Sequence, residues 1–264
     1  MTKNDKPLVS IITPSYNQGR FIEETLLSVK NQDYPYIEHA VMDGVSKDST
    51  LETLKRYERL YNIHWISEPD TGQSEAINKG FSTAKGTIIG WLNSDDVYFD
   101  KQVISYVVEQ FKRFPEVDVL YGDDILIDAD SNILRIRREL DWNYHCLLRG
   151  FSIPQPATFF RRHVVCQNRL DQSLHFAMDF EFWLRLGKSY NFQHVHRILA
   201  GERIHGATKT LSGRAQMVSE FQEVKKLYGQ TFGLSYYLFH YLIDLLGCAI
   251  RRVLEIPRIL RIER

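Results

Sequence analysis

The chain has 264 residues, enough for one large α/β domain with length to spare for a C-terminal addition. Its 33 basic and 33 acidic residues cancel, which excludes the basic balance of a nucleic-acid-binding chain, and its 44% hydrophobic content is that of an ordinary globular protein. Three cysteines, Cys146, Cys166 and Cys248, are odd in number and widely spaced, which excludes a disulfide framework or a cysteine-based zinc pattern and fits a reducing cytosol.

The stretch from Met1 to Pro7 is polar and lacks an apolar signal core, so no cleaved secretory leader is expected. Leu8 to Thr13 is an apolar strand pattern ended by Pro14, and Gly19 to Asn31 places Phe21, Ile22, Leu26, Leu27 and Val29 at helical spacing. Ile37 to Met42 predicts a second strand, followed by Asp43-Gly44. Asp48-Ser49-Thr50 then caps a helix through Leu51, Leu54 and Tyr57 to about Leu60. A third strand covers 63–66, a helix with Ala76, Ile77 and Phe81 follows Thr71, and Gly86 stops it. Thr87 to Leu92 reads as a buried strand and Val103 to Phe114 as a helix. Val117 to Tyr121, Ile125 to Ile127 and Ile133 to Ile136 read as strands, the last two forming an antiparallel hairpin over the turn 128–132.

Strand and helix alternating at this rhythm predict parallel pairing, hence a mixed sheet with helices on both faces. Polar residues gather after each strand, at Tyr16-Asn17, Asp43-Gly44, Glu68-Pro69-Asp70 and Asp95-Asp96. These loops fall along one rim of the sheet, where open α/β sheets bind ligands. Asp95-Asp96 is the most informative of them. Adjacent carboxylates at a strand end are the pattern that holds a hard divalent cation carrying substrate phosphates, although Asp also caps loops and helices.

Ser10-Ile11-Ile12-Thr13-Pro14-Ser15-Tyr16-Asn17, Met42-Asp43-Gly44-Val45-Ser46-Lys47-Asp48-Ser49-Thr50, Glu68-Pro69-Asp70-Thr71-Gly72-Gln73 and Asn93-Ser94-Asp95-Asp96 stand in an order and separation that resemble family 2 glycosyltransferases. The resemblance covers about residues 8 to 210, is nearest to transferases that build bacterial O-antigen, capsule and other surface polysaccharides, and implies a GT-A fold. It implies a nucleotide-diphosphate sugar donor, with a uridine base accepted by Asp43, and Mg²⁺ or Mn²⁺ at the diphosphate. Pro14, Tyr16, Asp70 and Gln73 then lie on the nucleotide side, Asp95 is near the ribose, and Asp96 ligates the metal. Asn93 stands where many relatives carry Asp. Each has a simpler alternative: Asp43 can be a turn residue before Gly44, and Glu68-Pro69-Asp70 a helix-entry loop.

Ala177 to Leu186, with Asp179 and Glu181, resembles the family's acidic dyad before an aromatic and Arg-Leu. The resemblance makes Asp179 the general base, with Glu181 competing on a different helix face and capping as the structural alternative. Gln155 in Pro154 to Phe160 falls on the acceptor side, and His205 matches a histidine near the diphosphate or metal in some relatives. The implied reaction is inverting transfer to a hydroxyl of a glycan or lipid-linked acceptor. The rival readings are a sugar nucleotidyltransferase, against which the single glycine of Pro14 to Arg20 argues, and a non-catalytic binding protein of the same fold.

The expected division is a catalytic domain over 1–210 and a helical appendage over 211–264. In the appendage Leu211 to Tyr228 reads as a helix. Phe232 to Ile250 is apolar and aromatic but interrupted by His240 and Asp244, and the Arg-rich tail from Arg251 to Arg264 follows. That pairing of faces predicts peripheral contact with the inner face of the cell membrane, or else packing on the domain or a second subunit.

Overall fold

A computed structural model of the chain describes residues 6–151, 153–206, 208–209 and 213–229. The elements are β1 (Val9–Ser15), α1 (Ile22–Lys30), β2 (Ile37–Asp43), α2 (Thr50–Tyr57), β3 (Ile63–Ser67), α3 (Gln73–Thr83), β4 (Ile88–Trp91), β5 (Val97–Tyr98), α4 (Val103–Arg113), β6 (Val119–Ile127) and β7 (Ile133–Arg137). They continue with α5 (Tyr144–Leu148), a 3₁₀ turn (Gln155–Ala157), β8 (Thr158–Arg161), α6 (Arg162–Gln167), α7 (Met178–Leu186), β9 (Phe192–Arg203) and α8 (Arg214–Leu227). One nine-stranded sheet runs in the order β3-β2-β1-β4-β8-β6-β9-β5, with β7 on β6.

The β3-β2-β1-β4 half is parallel throughout, as strands joined by crossover helices must be. β8 is antiparallel to both β4 and β6, while β6 and β9 pair in parallel. Alternation of side chains sends Ile11 and Ile12 into different cores. Ile12, Ala40, Met42 and Trp91 face Ile77, Phe81, Phe180, Phe182 and Trp183 on one side; Val9, Ile11 and Phe159 face Ile104, Val107 and Phe111 on the other. Helices on both faces of a mixed sheet, as the sequence predicts, follow from that alternation.

Three elements differ from the sequence expectation. β1 does not stop at Pro14 but continues to Ser15. Val9 N–H and Ser15 C=O bond toward β2, and Ile12 C=O toward Leu92, so even-numbered residues of β1 face β4. The β4 ladder ends at Ile12–Trp91, so Pro14 lies where no donor is asked for. β6 is one strand instead of two, because its interior acids are paired: Asp123 with Arg138 and Asp124 with Arg137. β5 is only two residues long, too short for any period to show.

Residues 213–229, expected in an appendage, lie against the domain. Phe221 stacks on Phe180 at 5.0 Å, Val224 enters the main core, and Tyr228 donates to Glu181. No helix among the described residues is long and apolar enough to cross a membrane. The apolar and Arg-rich stretch 232–264 lies outside the described residues.

Gly80 on α3 touches β1 so closely that an added Cβ would stand 2.1 Å from Ile12 Cγ2. Ile12 is fully buried and β-branched, so it cannot swing away. Gly80→Ala should therefore destabilise the protein by about 1–3 kcal/mol through overpacking, despite alanine's better helix propensity. Urea unfolding of the two proteins measures it.

Candidate active site

The turn after β4 is organised around Asn93. Its side-chain oxygen accepts from Trp91 Nε1 at 3.0 Å and Gln73 Nε2 at 2.9 Å. Its amide donates to Asp96 Oδ2 at 3.1 Å and Gln155 Oε1 at 2.8 Å. Gln155 also donates to the Trp91 carbonyl. An Asp at this position would lose both donations, which gives a physical reason for Asn93. The same network holds Gln155, expected on the acceptor side, buried under the turn.

The two acids of the turn are split apart. Asp96 is buried, its Oδ1 accepting from the Arg203 backbone N–H at 2.9 Å and its Oδ2 from Asn93. Asp95 instead turns toward His205, with Oδ2 3.1 Å from His205 Nε2. So the histidine expected near the metal stands beside Asp95 and not beside Asp96. Burial, then the charges of Asp95 and Glu202, hold the Asp96 carboxyl well above the usual carboxylate range. Arg203 locks the turn from below: its guanidinium, fully buried, donates to the Asp95 and Asp128 carbonyls, Ser131 and Glu24.

At the start of α7, Asp179 accepts from the Phe180 N–H at 2.7 Å. Its carboxyl is raised from 3.8 to about 6, chiefly by burial, with Glu202 raising it and Lys209 opposing. Burial, offset by Glu220 and Asp179, lowers Lys209. Lys209 also reaches Gln73 Oε1 at 3.4 Å, so it bridges the α3 side to the α7 side. Glu202 is thus within electrostatic reach of both Asp96 and Asp179, which brings the β4 turn and α7 to one place. Sequence reasoning missed Asn93 as organiser, Arg203, Glu202 and Lys209. Only the β9 sequence around His205 held a signal for them. Beside Lys209, a groove of about 510 Å³ is lined by His175, Phe176, Gln216, Ser219 and Glu220.

Glu181, the competing candidate, is held by its neighbours. Arg185 holds it through Nε and Nη2 at 2.9 Å, and the Tyr228 hydroxyl donates to it at 3.1 Å.

The other end of the rim collects the remaining nucleotide-side residues. Asp43 is buried, accepting from Ser46 and from the Ser67 hydroxyl at 2.6 Å, which is the turn role its alternative reading foresaw. Asp70 Oδ2 lies 2.8 Å and Tyr16 Cδ2 3.4 Å from where a Cβ on Gly44 would be. Tyr16, Asp43, Gly44 and Asp70 therefore form one wall, with the Tyr16 ring exposed. Burial raises Asp70, and Glu75 and Asp43 add to it. The loop from Asp70 to Gln73 connects this wall to Asn93. Pro14 lies in the β1 end below it, its nitrogen turned toward the finished β4 edge.

Acids thus gather at the strand ends, with His205 beside Asp95 and Lys209 acting on Asp179. The family model for glycosyl transferase family 2 matches residues 10–185, and the chain belongs to that family. It is 42% identical over 95 residues to a putative teichuronic acid biosynthesis glycosyltransferase of Bacillus subtilis, covering 35% of this chain and 38% of the relative. Its fold is similar to that of residues 1–349 of TarS from S. aureus in complex with UDP-GlcNAc, with TM-score 0.67 and 18% identity over 82% of this chain. The chain spans 65% of that structure's length. It is also similar to a mannosyltransferase of Pyrobaculum calidifontis in complex with GDP-Man and Mn²⁺, with TM-score 0.65, 17% identity, and coverage of 88% of this chain and 67% of that one. The fold is GT-A, and the protein is a glycosyltransferase.

Because Asp179 binds its proton more tightly in the native state than in the unfolded chain, the stability it contributes is full below about pH 4 and is lost as pH rises through about 6. Asp179→Asn should accordingly melt above the wild type at about pH 8, with the gap closing toward about pH 4. Thermal melts across that range test the sign.

Proposed function

We propose that this enzyme transfers a sugar from a nucleotide-diphosphate sugar, a UDP-sugar in the first instance, to a hydroxyl of a glycan or lipid-linked acceptor in bacterial surface polysaccharide synthesis, with inversion. The observation that carries the reading is the Asp95–His205 pair at the turn after β4, with Glu202 within electrostatic reach of both Asp96 in that turn and Asp179. The family membership supports it, as do the nucleotide sugars named in the two similar structures and the biosynthetic role named for the B. subtilis relative.

The donor set fits a divalent cation. Adjacent ligands of an octahedral ion at about 2.1 Å stand about 3 Å apart, and Asp95 Oδ2 and His205 Nε2 are 3.1 Å apart. An oxygen and an imidazole nitrogen suit Mn²⁺ and accept Mg²⁺. Asp95 takes the ligand role expected of Asp96, and Asp96 positions the turn. When bound, the ion neutralises charge growing on the departing diphosphate. Tyr16, Asp43 and Asp70 form the base end, and Gln73 joins it to the turn.

Asp179 accepts the proton of the acceptor hydroxyl as that oxygen attacks the anomeric carbon. The bond from carbon to the donor phosphate oxygen breaks on the opposite face, and a nucleoside diphosphate leaves. A base titrating near 6 is ionised at neutral pH yet close enough to it to take a proton readily. Lys209, beside Asp179, offsets part of the charge gathered there. The catalytic unit extends through α8, and the basic C-terminal stretch keeps the enzyme at the inner membrane face, where a lipid-linked acceptor would be met.

With Mn²⁺ and a panel of nucleotide sugars, the wild type should release nucleoside diphosphate, and kcat/KM should rise with pH through about 6. Asp95→Asn and His205→Ala should lose metal-dependent donor binding. Asp179→Asn should keep donor binding while transfer falls by about 10²–10⁴-fold. Normal turnover by Asp179→Asn, or activity indifferent to chelation, refutes the respective role; release of pyrophosphate instead points to a nucleotidyltransferase.

A further inference from the structure

Far from the Asp95–His205 pair, β9 begins with Phe192-Gln193-His194-Val195-His196. His194 and His196 are two apart on an extended strand, so both rings lie on one face, their centroids 4.6 Å apart. Asp141, from the connection between β7 and α5, reaches across to both. Its Oδ1 is 3.2 Å from His194 Nδ1 and 3.5 Å from His196 Nε2. One ligand atom from each of the three residues lies within 4.8 Å of the others.

His194 is prepared for one task. Its side chain is fully buried and its ring stacks on Tyr121 at 5.0 Å. Its Nε2 lies 3.0 Å from Asp123 Oδ1, and Asp123 is itself fixed by Arg138 and by the Glu139 backbone N–H. With Nε2–H given to Asp123, the lone pair on Nδ1 faces a second carboxylate, an arrangement that a cation between them relieves. A carboxylate behind one ring nitrogen is the usual way of orienting a histidine whose other nitrogen binds metal. The spacing agrees: ligands about 2.0–2.1 Å from a tetrahedral zinc are about 3.3–3.4 Å apart. Asp141 and His196 are both more than three-quarters exposed, which leaves the fourth position open to water.

We propose that Asp141, His194 and His196 form a second divalent-metal site, of the zinc-preferring imidazole–carboxylate class, separate from the donor-side cation. β6 pairs Tyr121 with His194 and Ile127 with Arg203, so the two sites lie about 20 Å apart along the sheet. The ion pins the segment from Arg138 to Asn143 onto β9. That segment carries Trp142, stacked on Phe192 at 3.9 Å, and Asn143, which caps α5. The site thus fastens the start of the long connection that runs from β7 to α7.

Full-length protein carrying His205→Ala, which lacks the donor-side histidine, is titrated with Co²⁺ after chelator treatment. It should bind one equivalent with the visible absorption of a tetrahedral site. Adding His196→Ala or Asp141→Asn, both at exposed positions, should weaken binding at least tenfold while melting and circular dichroism show a folded chain. In the wild type, Zn²⁺ should slow tryptic cleavage after Arg138, and His196→Ala should abolish the protection. Absence of Co²⁺ uptake by His205→Ala overturns the site, as does equal uptake by the double variants. Binding without protection overturns the pinning role. None of these outcomes bears on the transferase reading.

Discussion

Asp96 holds the main chain of Arg203, and Arg203 in turn holds the main chain of Asp95. The buried carboxylate of Asp96 takes the Arg203 N–H, and the buried guanidinium of Arg203 takes the Asp95 carbonyl. This reciprocal clasp joins the turn after β4 to the end of β9, two segments more than a hundred residues apart in sequence. It also decides which way the adjacent acids face, because a carboxylate spent on the clasp cannot point into the cleft. Asp95 is thereby left toward His205, which follows Arg203 by two residues. Burial of these groups is tolerated because they are hydrogen-bonded.

The clasp concentrates negative charge. Asp95 and Glu202 act on Asp96, Glu202 also acts on Asp179, and together with burial these charges raise the carboxyls of Asp96 and Asp179. Glu202 is steadied by Arg137, which also pairs with Asp124 inside β6. A site so arranged is incomplete without a positive partner, which the proposed cation and Lys209 supply. Burial, with Glu202 adding to it, raises the Asp179 carboxyl to about 6.

Much of the site was legible in the sequence and part of it was misread, for identifiable reasons. The motifs singled out Asp95, Asp96, His205 and Asp179, and the fold sets His205 beside Asp95. They could not say which acid of an adjacent pair faces out, because that depends on the backbone N–H of Arg203. Gln155 carried an acceptor-side expectation, yet Asn93 draws it under the turn. Glu181 looked available until Arg185, one helical turn on, and Tyr228 from α8 closed around it. Asp123 and Asp124 broke the strand pattern of β6, since alternation scores acids as solvent-facing and their partners Arg137, Arg138 and His194 come from other elements.

Local order was therefore written in the chain: strand and helix rhythm, the polar residues after each strand, and the hairpin of β6 and β7 all follow from periodicity and turn chemistry between near neighbours. What only the tertiary structure decided is orientation, namely which carboxylate is buried, which glutamate is clasped, and that residues 213–229 pack on α7. Periodicity records how a residue relates to others three or four places away. The direction of a buried polar side chain is set by a donor or acceptor that the fold brings from a distance, and no local pattern encodes that partner.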